Sequence, residues 1–355
     1  MMGRWWRYER AHVVVESALG DHFHAGRRAM MKLGLGAIHE LDDERLQFAR
    51  QLGVRNIILH SPELRGDGFW EFRDLLMLRT RVEAAGLRLY AIENIPMDFY
   101  DKIRLGLPGR DEQIDKVCKT IRNMASAGIP VLGYHFALLG VWRTEYSPTG
   151  RGGARVSKYD HELVKHTPTS ELGELDDETV WANLTYFLKA IVPVAEQEGL
   201  MLALHPDDPP VPSIAGVARI IRSIEAYKRV IEIVPSPSNG LEFCQGTVSE
   251  MGHTPEEVYD AIRYFVSREK IAYVHFRNVD STVPKFAETF VEEGRIDMLE
   301  AMRAYQEAGF EGVFIVDHTP GIVGDTRWGH RGRAYAIGYM KALIKCVRAG
   351  EGGTL

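Results

Sequence analysis

Three cysteines in 355 residues, Cys118, Cys244 and Cys346, are too few for a disulfide framework. Long apolar runs are also missing: no stretch approaches the roughly twenty uninterrupted apolar residues that a membrane span requires. The opening, Met-Met-Gly-Arg-Trp-Trp-Arg-Tyr-Glu-Arg, lacks the apolar region of a secretion signal. Nor is there an excess of positive charge. A net charge of −6 argues against nucleic acid or an anionic membrane as partner, because neither tolerates an unfocused acidic surface. No glycine-rich phosphate fingerprint is present. What these absences leave is a cytoplasmic protein acting on a small molecule, with 45% apolar residues to build its core.

Residues 1–30 are rich in Arg, His and aromatics without a sustained period, and read as an N-terminal extension. From Met31 an alternation begins that lasts almost to the end. Apolar runs of strand length start at Lys32, Asn56, Leu87, Val131, Leu200, Gly240, Ile271 and Val313, and each is followed by a helical pattern. Gly53, Gly86 and Gly128 stand where a left-handed helix C-cap is wanted, a few residues before the next strand. Thr254-Pro-Glu-Glu257 has the form of a capped helix start, and a helix is expected near Val217–Tyr227. Eight βα units demand a parallel sheet, and in one domain they favour a closed (β/α)8 TIM barrel over an open sheet. The barrel is expected over 31–348 with a short tail, 349–355. Residues 140–173, rich in glycine and proline, form a long insertion after strand 4, expected to be an irregular lid.

In such a barrel the active site lies at the C-terminal ends of the strands. Strand five, Leu200-Met-Leu-Ala-Leu, stops at His205-Pro-Asp-Asp-Pro-Pro210, where the prolines forbid continuation. The next three strands end at Cys244, His275 and Asp317. A histidine at a strand tip is ordinarily structural. Two imidazoles, a thiolate and a carboxylate on four successive tips instead fit the ligand set of a divalent metal with room left for substrate. The thiolate leans toward zinc, iron or cobalt; the carboxylate and an open, sugar-like substrate lean toward manganese (Mn2+) or iron(II) (Fe2+). Asp207 and Asp208 read either as solvated turn residues or as a supporting layer that orients His205 or holds a substrate hydroxyl. Arg143 and Arg277, just beyond strands four and seven, are planar donors suited to a carboxylate substrate. Arg327, Trp328, His330 and Arg331 follow strand eight, and Glu93 ends strand three.

These residues sit in segments that resemble the mannonate dehydratase family, metal-dependent (β/α)8 enzymes of hexuronate catabolism. The likeness runs through Glu93-Asn-Ile-Pro96, Trp142-Arg-Thr144, His205-Pro-Asp-Asp-Pro-Pro210, Phe243-Cys-Gln-Gly246, Val274-His-Phe-Arg-Asn-Val279 and Asp317-His318, about the last two-thirds of the chain. It implies that the metal ligands are His205, Cys244, His275 and Asp317; Trp142, Arg143, Asn278 and Glu93 are expected to contact substrate, with capping of the barrel as the other reading of Glu93. The sequence departs from the family at its first strand, Lys32-Leu-Gly-Leu-Gly36, and after its last, Asp317-His-Thr-Pro-Gly-Ile-Val-Gly-Asp-Thr-Arg327. Arg327 stands in for the family's arginine there, and its tyrosine has no counterpart.

The resemblance implies elimination of water from D-mannonate to give 2-keto-3-deoxy-D-gluconate. The expected acid–base group is His318, beside a ligand and titratable near neutrality, with Arg277 or Arg327 holding the carboxylate. Three alternatives stay open: dehydration of another aldonate, a metal-dependent sugar isomerase or epimerase, and a catalytically silent barrel that binds metal and sugar acid. Barrels of this kind often pair through their helices, so a homodimer is kept open, although no surface stripe specifies one.

Overall fold

A computed structural model describes residues 31–349. The expected extension, 1–30, and all of the expected tail but its first residue lie outside the described residues. Eight strands close a barrel: β1 (Lys32–Ile38), β2 (Asn56–His60), β3 (Arg88–Glu93), β4 (Val131–His135), β5 (Met201–His205), β6 (Asn239–Cys244), β7 (Ile271–His275) and β8 (Val313–Ile315). Each pairs in parallel with its sequence neighbours, and β1 pairs with β8. The helices on the outside are α1 (Asp43–Gln51), α2 (Phe72–Ala84), α3 (Arg110–Ser126), α4 (Asp177–Glu198), α5 (Ile224–Ile233), α6 (Pro255–Val266), α7 (Met298–Glu307) and α8 (His330–Ala349). The (β/α)8 expectation therefore holds. Among the described residues no helix is long and apolar enough to cross a membrane.

The local signals act as expected. Asp42 caps α1 by accepting from the Arg45 N–H, and Gly53, Gly86 and Gly128 follow their helices at φ +67°, +74° and +75°. Thr254 and Glu257 exchange hydrogen bonds with each other's backbone at the start of α6. Pro193 does not interrupt α4. One helix was misplaced: residues 213–218 form a small antiparallel hairpin, and α5 starts only where Ser223 caps it by accepting from the Ala226 N–H. The insertion is not irregular. Glu145–Ser147 and Val156–Asp160 form a hairpin, and Lys285–Ala287 from the loop after β7 adds a third antiparallel strand. Of the two cysteines on helices, Cys118 is buried and Cys346 is exposed.

Two apolar layers hold the barrel. Leu, Ile and Phe on the outer strand faces pack under the helices, while Ile58, Ala91, Val131, Ala203, Tyr273, Val313 and Ile315 fill the interior. Small residues make that filling fit. A Cβ on Gly133 would stand 2.5 Å from the Tyr273 hydroxyl, so glycine there admits a phenol into the barrel. Register then aligns the tips: His60 opposes Glu93, His135 opposes His205, and Cys244 opposes His275. A ring of polar side chains thus crowns an apolar interior.

Because the α6 cap is reciprocal, T254A should cost about 1 kcal/mol, seen as a lower urea midpoint with an unchanged slope. T254S should keep most of the loss from appearing; equal midpoints for all three proteins would show that the cap contributes nothing.

Candidate metal centre

The strand tips surround a cavity of about 810 Å³ lined by residues from all eight βα units, including His60, Glu93, His135, His205, Glu242, His275, Asp317, His318 and Arg327. Below it, donor atoms of His205, Cys244 and His275 lie within 4.8 Å of one another. The structure thus brings together three of the four expected ligands. Asp317, just past β8, meets the same histidine from another side: its Oδ2 is 3.4 Å from His275 Nδ1 and accepts from Arg277 Nε at 3.0 Å. A second group, Glu93, Glu242 and His275, is equally compact. Glu242 was missed by the sequence reading, yet it carried a signal. In Gly240-Leu-Glu-Phe-Cys244 it stands two residues before the cysteine, so the strand's period of two puts both on the barrel's inner face.

The electrostatics favour a cation. Burial is the largest influence on the Cys244 thiol and opposes its ionisation, but Arg277 together with hydrogen bonds from His205 and His275 outweighs it and lowers the pKa to about 6, which favours the thiolate. Burial is the largest influence on His205 and His275 and works against their charge, yet Glu242 with Cys244 raises His205 to about 9, and Glu242 with Asp317 and Glu93 raises His275 well above its ordinary value. Protons on the two imidazoles thereby balance surrounding anions. His275 Nδ1, Asp317 Oδ1 and Glu242 Oε1 are nevertheless buried without a hydrogen-bond partner. Glu242 Oε1 lies 2.8 Å from His275 Nε2, off the line a hydrogen bond needs. Orphaned atoms of this kind cost about 1–3 kcal/mol each. An N, S and O donor set with unpaired atoms fits a divalent transition metal.

Around this centre the supporting residues fall differently from expectation. Arg277, expected to hold a substrate carboxylate, is buried and fully engaged: it donates to Asp317 at 3.0 Å, to Glu250 at 2.8 Å and to Asp208 at 2.9 Å. Arg143 is likewise consumed, donating to both oxygens of Asp208 and to Glu288. Asn278 binds the carbonyls of Val291 and Ile296 and so fixes the loop after β7. Trp142 packs against the small apolar cluster of Tyr159, Val211 and Phe286. None of these four lines the cavity. Asp207 accepts from the Ile221 N–H at 2.7 Å, a backbone role rather than one on His205. Asp208 reaches the cavity wall and is the supporting carboxylate; burial raises its pKa, but Arg143 and Arg277 prevail and hold it well below the carboxylate range.

Glu93, His318 and Arg327 do line the cavity. Glu93 Oε2 is 3.1 Å from His275 Nε2. His318 Nδ1 is 2.6 Å from Glu288 Oε1, and although burial disfavours the imidazolium, Glu288 and Asp317 raise its pKa. Of the three arginines on the wall, Arg45 is bound to Asp42 and Glu40, and Arg333 to the carbonyls of Val316, Asp317 and Trp328. Arg327 alone makes no side-chain hydrogen bond among the described residues and is exposed. His330 and Arg331 point their bonds to Thr326 and Val323 in their own loop. No tyrosine lines the cavity among the described residues.

Comparison with known proteins agrees with this geometry. The family model for D-mannonate dehydratase (UxuA) matches residues 32–175 and 170–352. The mannonate dehydratase of Thermotoga maritima is 34% identical over 340 residues, 85% of this chain and 91% of that one. That of Streptococcus agalactiae is 33% identical over 312 residues, covering 79% and 88%. A crystal structure of mannonate dehydratase from Streptococcus suis superposes with a TM-score of 0.82 at 29% identity, covering 92% of this chain and 96% of that one. An L-ribulose 3-epimerase, at 13% identity and a TM-score of 0.56, shares the barrel fold.

Two outcomes are expected. Binding of a divalent metal should release protons, since His205 and His275 must surrender theirs to become ligands; titration calorimetry in buffers of differing ionisation enthalpy should give a buffer-dependent heat, and C244A should lose tight binding. Glu288 gives a pH dependence. Burial raises its pKa, but His318 and Arg143 outweigh that and bring it to about 2, so its stabilisation is complete above the unfolded carboxylate range and lost as pH falls toward 2. The stability gap between wild type and E288Q should therefore close on acidification; a gap independent of pH would refute the assignment.

Proposed function

The chain belongs to the D-mannonate dehydratase family, a family of hydro-lyases, and from that premise we propose that it eliminates water from D-mannonate to give 2-keto-3-deoxy-D-gluconate in hexuronate catabolism. The observation that carries the reading to this chain's own site is the cluster of His205, Cys244 and His275 beneath a cavity walled by His318 and Arg327. Those three side chains, with Asp317, would hold the metal. The carboxylate favours manganese or iron(II), and the thiolate admits cobalt or zinc. When bound, such a cation supplies Lewis acidity that stabilises the charge developing on the substrate carboxylate.

The reaction removes the proton from C2 and expels the C3 hydroxyl as water with a proton from the acid; the enol then loses its hydroxyl proton and gains one at C3, giving the ketone at C2 and a methylene at C3, and the proton taken from C2 makes up the one the acid gave. Arg327 orients the acid by pairing with its carboxylate, a role its unengaged guanidinium can take and those of Arg143 and Arg277 cannot. His318 donates a proton to the departing hydroxyl. With Nδ1 held by Glu288, its Nε2 is the nitrogen left for the substrate, and Glu288 and Asp317 raise its pKa, which favours the protonated form a donor needs. Arg277 keeps Asp317 turned to the centre. We assign the sugar acid as the partner and the cytoplasm as the setting.

The test is turnover. Protein stripped of metal and reloaded separately with manganese, iron(II), cobalt and zinc should form 2-keto-3-deoxy acid from D-mannonate; no keto acid from any aldonate, with metal bound, would overturn the proposal. H318Q should retain metal and lose about 10²–10⁴-fold in kcat. Wild-type kcat should decline as pH rises through the raised His318 pKa, because the proton donor is then lost.

A further inference from the structure

The reading above uses the tips of β5 to β8 and leaves the other half of the mouth without a task. His39 follows β1, His60 ends β2, Glu93 and Asn94 end β3, and His135 ends β4, and all of them line the cavity. They are continuous with the metal half. Glu93 spans the two, with Oε2 3.1 Å from His275 Nε2 and Oε1 3.3 Å from His60 Nδ1, and the rings of His60 and His39 are 4.4 Å apart.

The backbone is unusual on the same side. Ala37, Ser61 and Asn94, at the ends of β1, β2 and β3, have φ of +52°, +41° and +51°. Left-handed non-glycine residues cost about 1–3 kcal/mol each and persist where the surroundings fix them, commonly at ligand sites. Among the described residues no tip of β5 to β8 shares this conformation. Two side-chain atoms on the wall, His135 Nδ1 and Asn94 Oδ1, are buried and have no hydrogen-bond partner. Hydrogen-bonding groups left unpaired in a cavity wall are what a polar ligand satisfies.

Their chemistry selects the ligand. Imidazole and amide side chains offer both donors and acceptors, which matches alcohol hydroxyls. Glu93 adds a carboxylate that would repel an anion. The negative end of a sugar acid therefore belongs with Arg327 and the metal half, and its uncharged end with this wall.

We propose that His39, His60, Asn94 and His135 form the subsite for the hydroxylated tail of the sugar acid, and that this wall sets selectivity for chain length. The inference rests on the dehydratase reading for the position of the carboxylate end. Its test is the affinity of the metal-loaded full chain for D-mannonate and for a four-carbon 2,3-dihydroxy acid with the same configuration at the two reacting carbons. Wild type should bind the longer acid at least about tenfold more tightly. H135F and the exposed-site variant H39A should each shrink that ratio by about three- to tenfold, the share of one or two hydrogen bonds. An unchanged ratio in both variants, or equal wild-type affinities for the two acids, would overturn the subsite while leaving turnover of mannonate intact. Failure of wild type to bind either acid would instead sink the dehydratase reading and the subsite with it.

Discussion

The guanidinium of Arg277 binds three carboxylates at once, on Asp317, Asp208 and Glu250, while itself buried. Each of those carboxylates belongs to a different part of the mouth: the end of β8, the turn after β5, and the short helix 245–250 that continues from Cys244. Removing one partner of a buried ion pair typically costs about 3–5 kcal/mol, because the other charge is left without compensation. The arrangement of β5 to β8 therefore depends on this one side chain. It also lowers the Cys244 pKa, so the same charge that fixes the loops prepares the thiolate.

From Asp208 the network continues outward. Arg143 joins Asp208 to Glu288, and Glu288 holds His318. Arg143 sits at the start of the insertion and Glu288 in the loop after β7, and these are the two segments that the three-stranded sheet sews together. Acid–base chemistry at His318 and order in the insertion are thus properties of one set of ion pairs. An arginine near a cavity need not touch substrate: here two of them position carboxylates, and among the described residues only Arg327 faces the cavity unengaged.

Much of this was legible beforehand, and the reasons are specific. Strands showed because buried parallel strands are continuous apolar runs, and helix ends showed because Gly53, Gly86 and Thr254 act through local backbone geometry. His205, Cys244 and His275 could be chosen because they end such runs. What failed depended on partners distant in sequence. Nothing near Glu145 announces a strand that Lys285–Ala287 completes, and nothing near Arg277 announces three carboxylates from elsewhere. Glu242 and the tips His60 and His135 were a different kind of miss. They obey the same tip and alternation rules as the chosen ligands, so their signal is present in the sequence itself.

The seam between β1 and β8 bears on how the molecule is made. Lys32 pairs with Val313, and Gly36 lies where any side chain would strike Ile315, so the first strand has its final neighbour only when nearly the whole chain exists. During synthesis an N-terminal half made of β1 to β4 has an open edge on each side, and unpaired edges invite association with other chains. The last strand, three residues long, is what closes both the barrel and that interval of exposure.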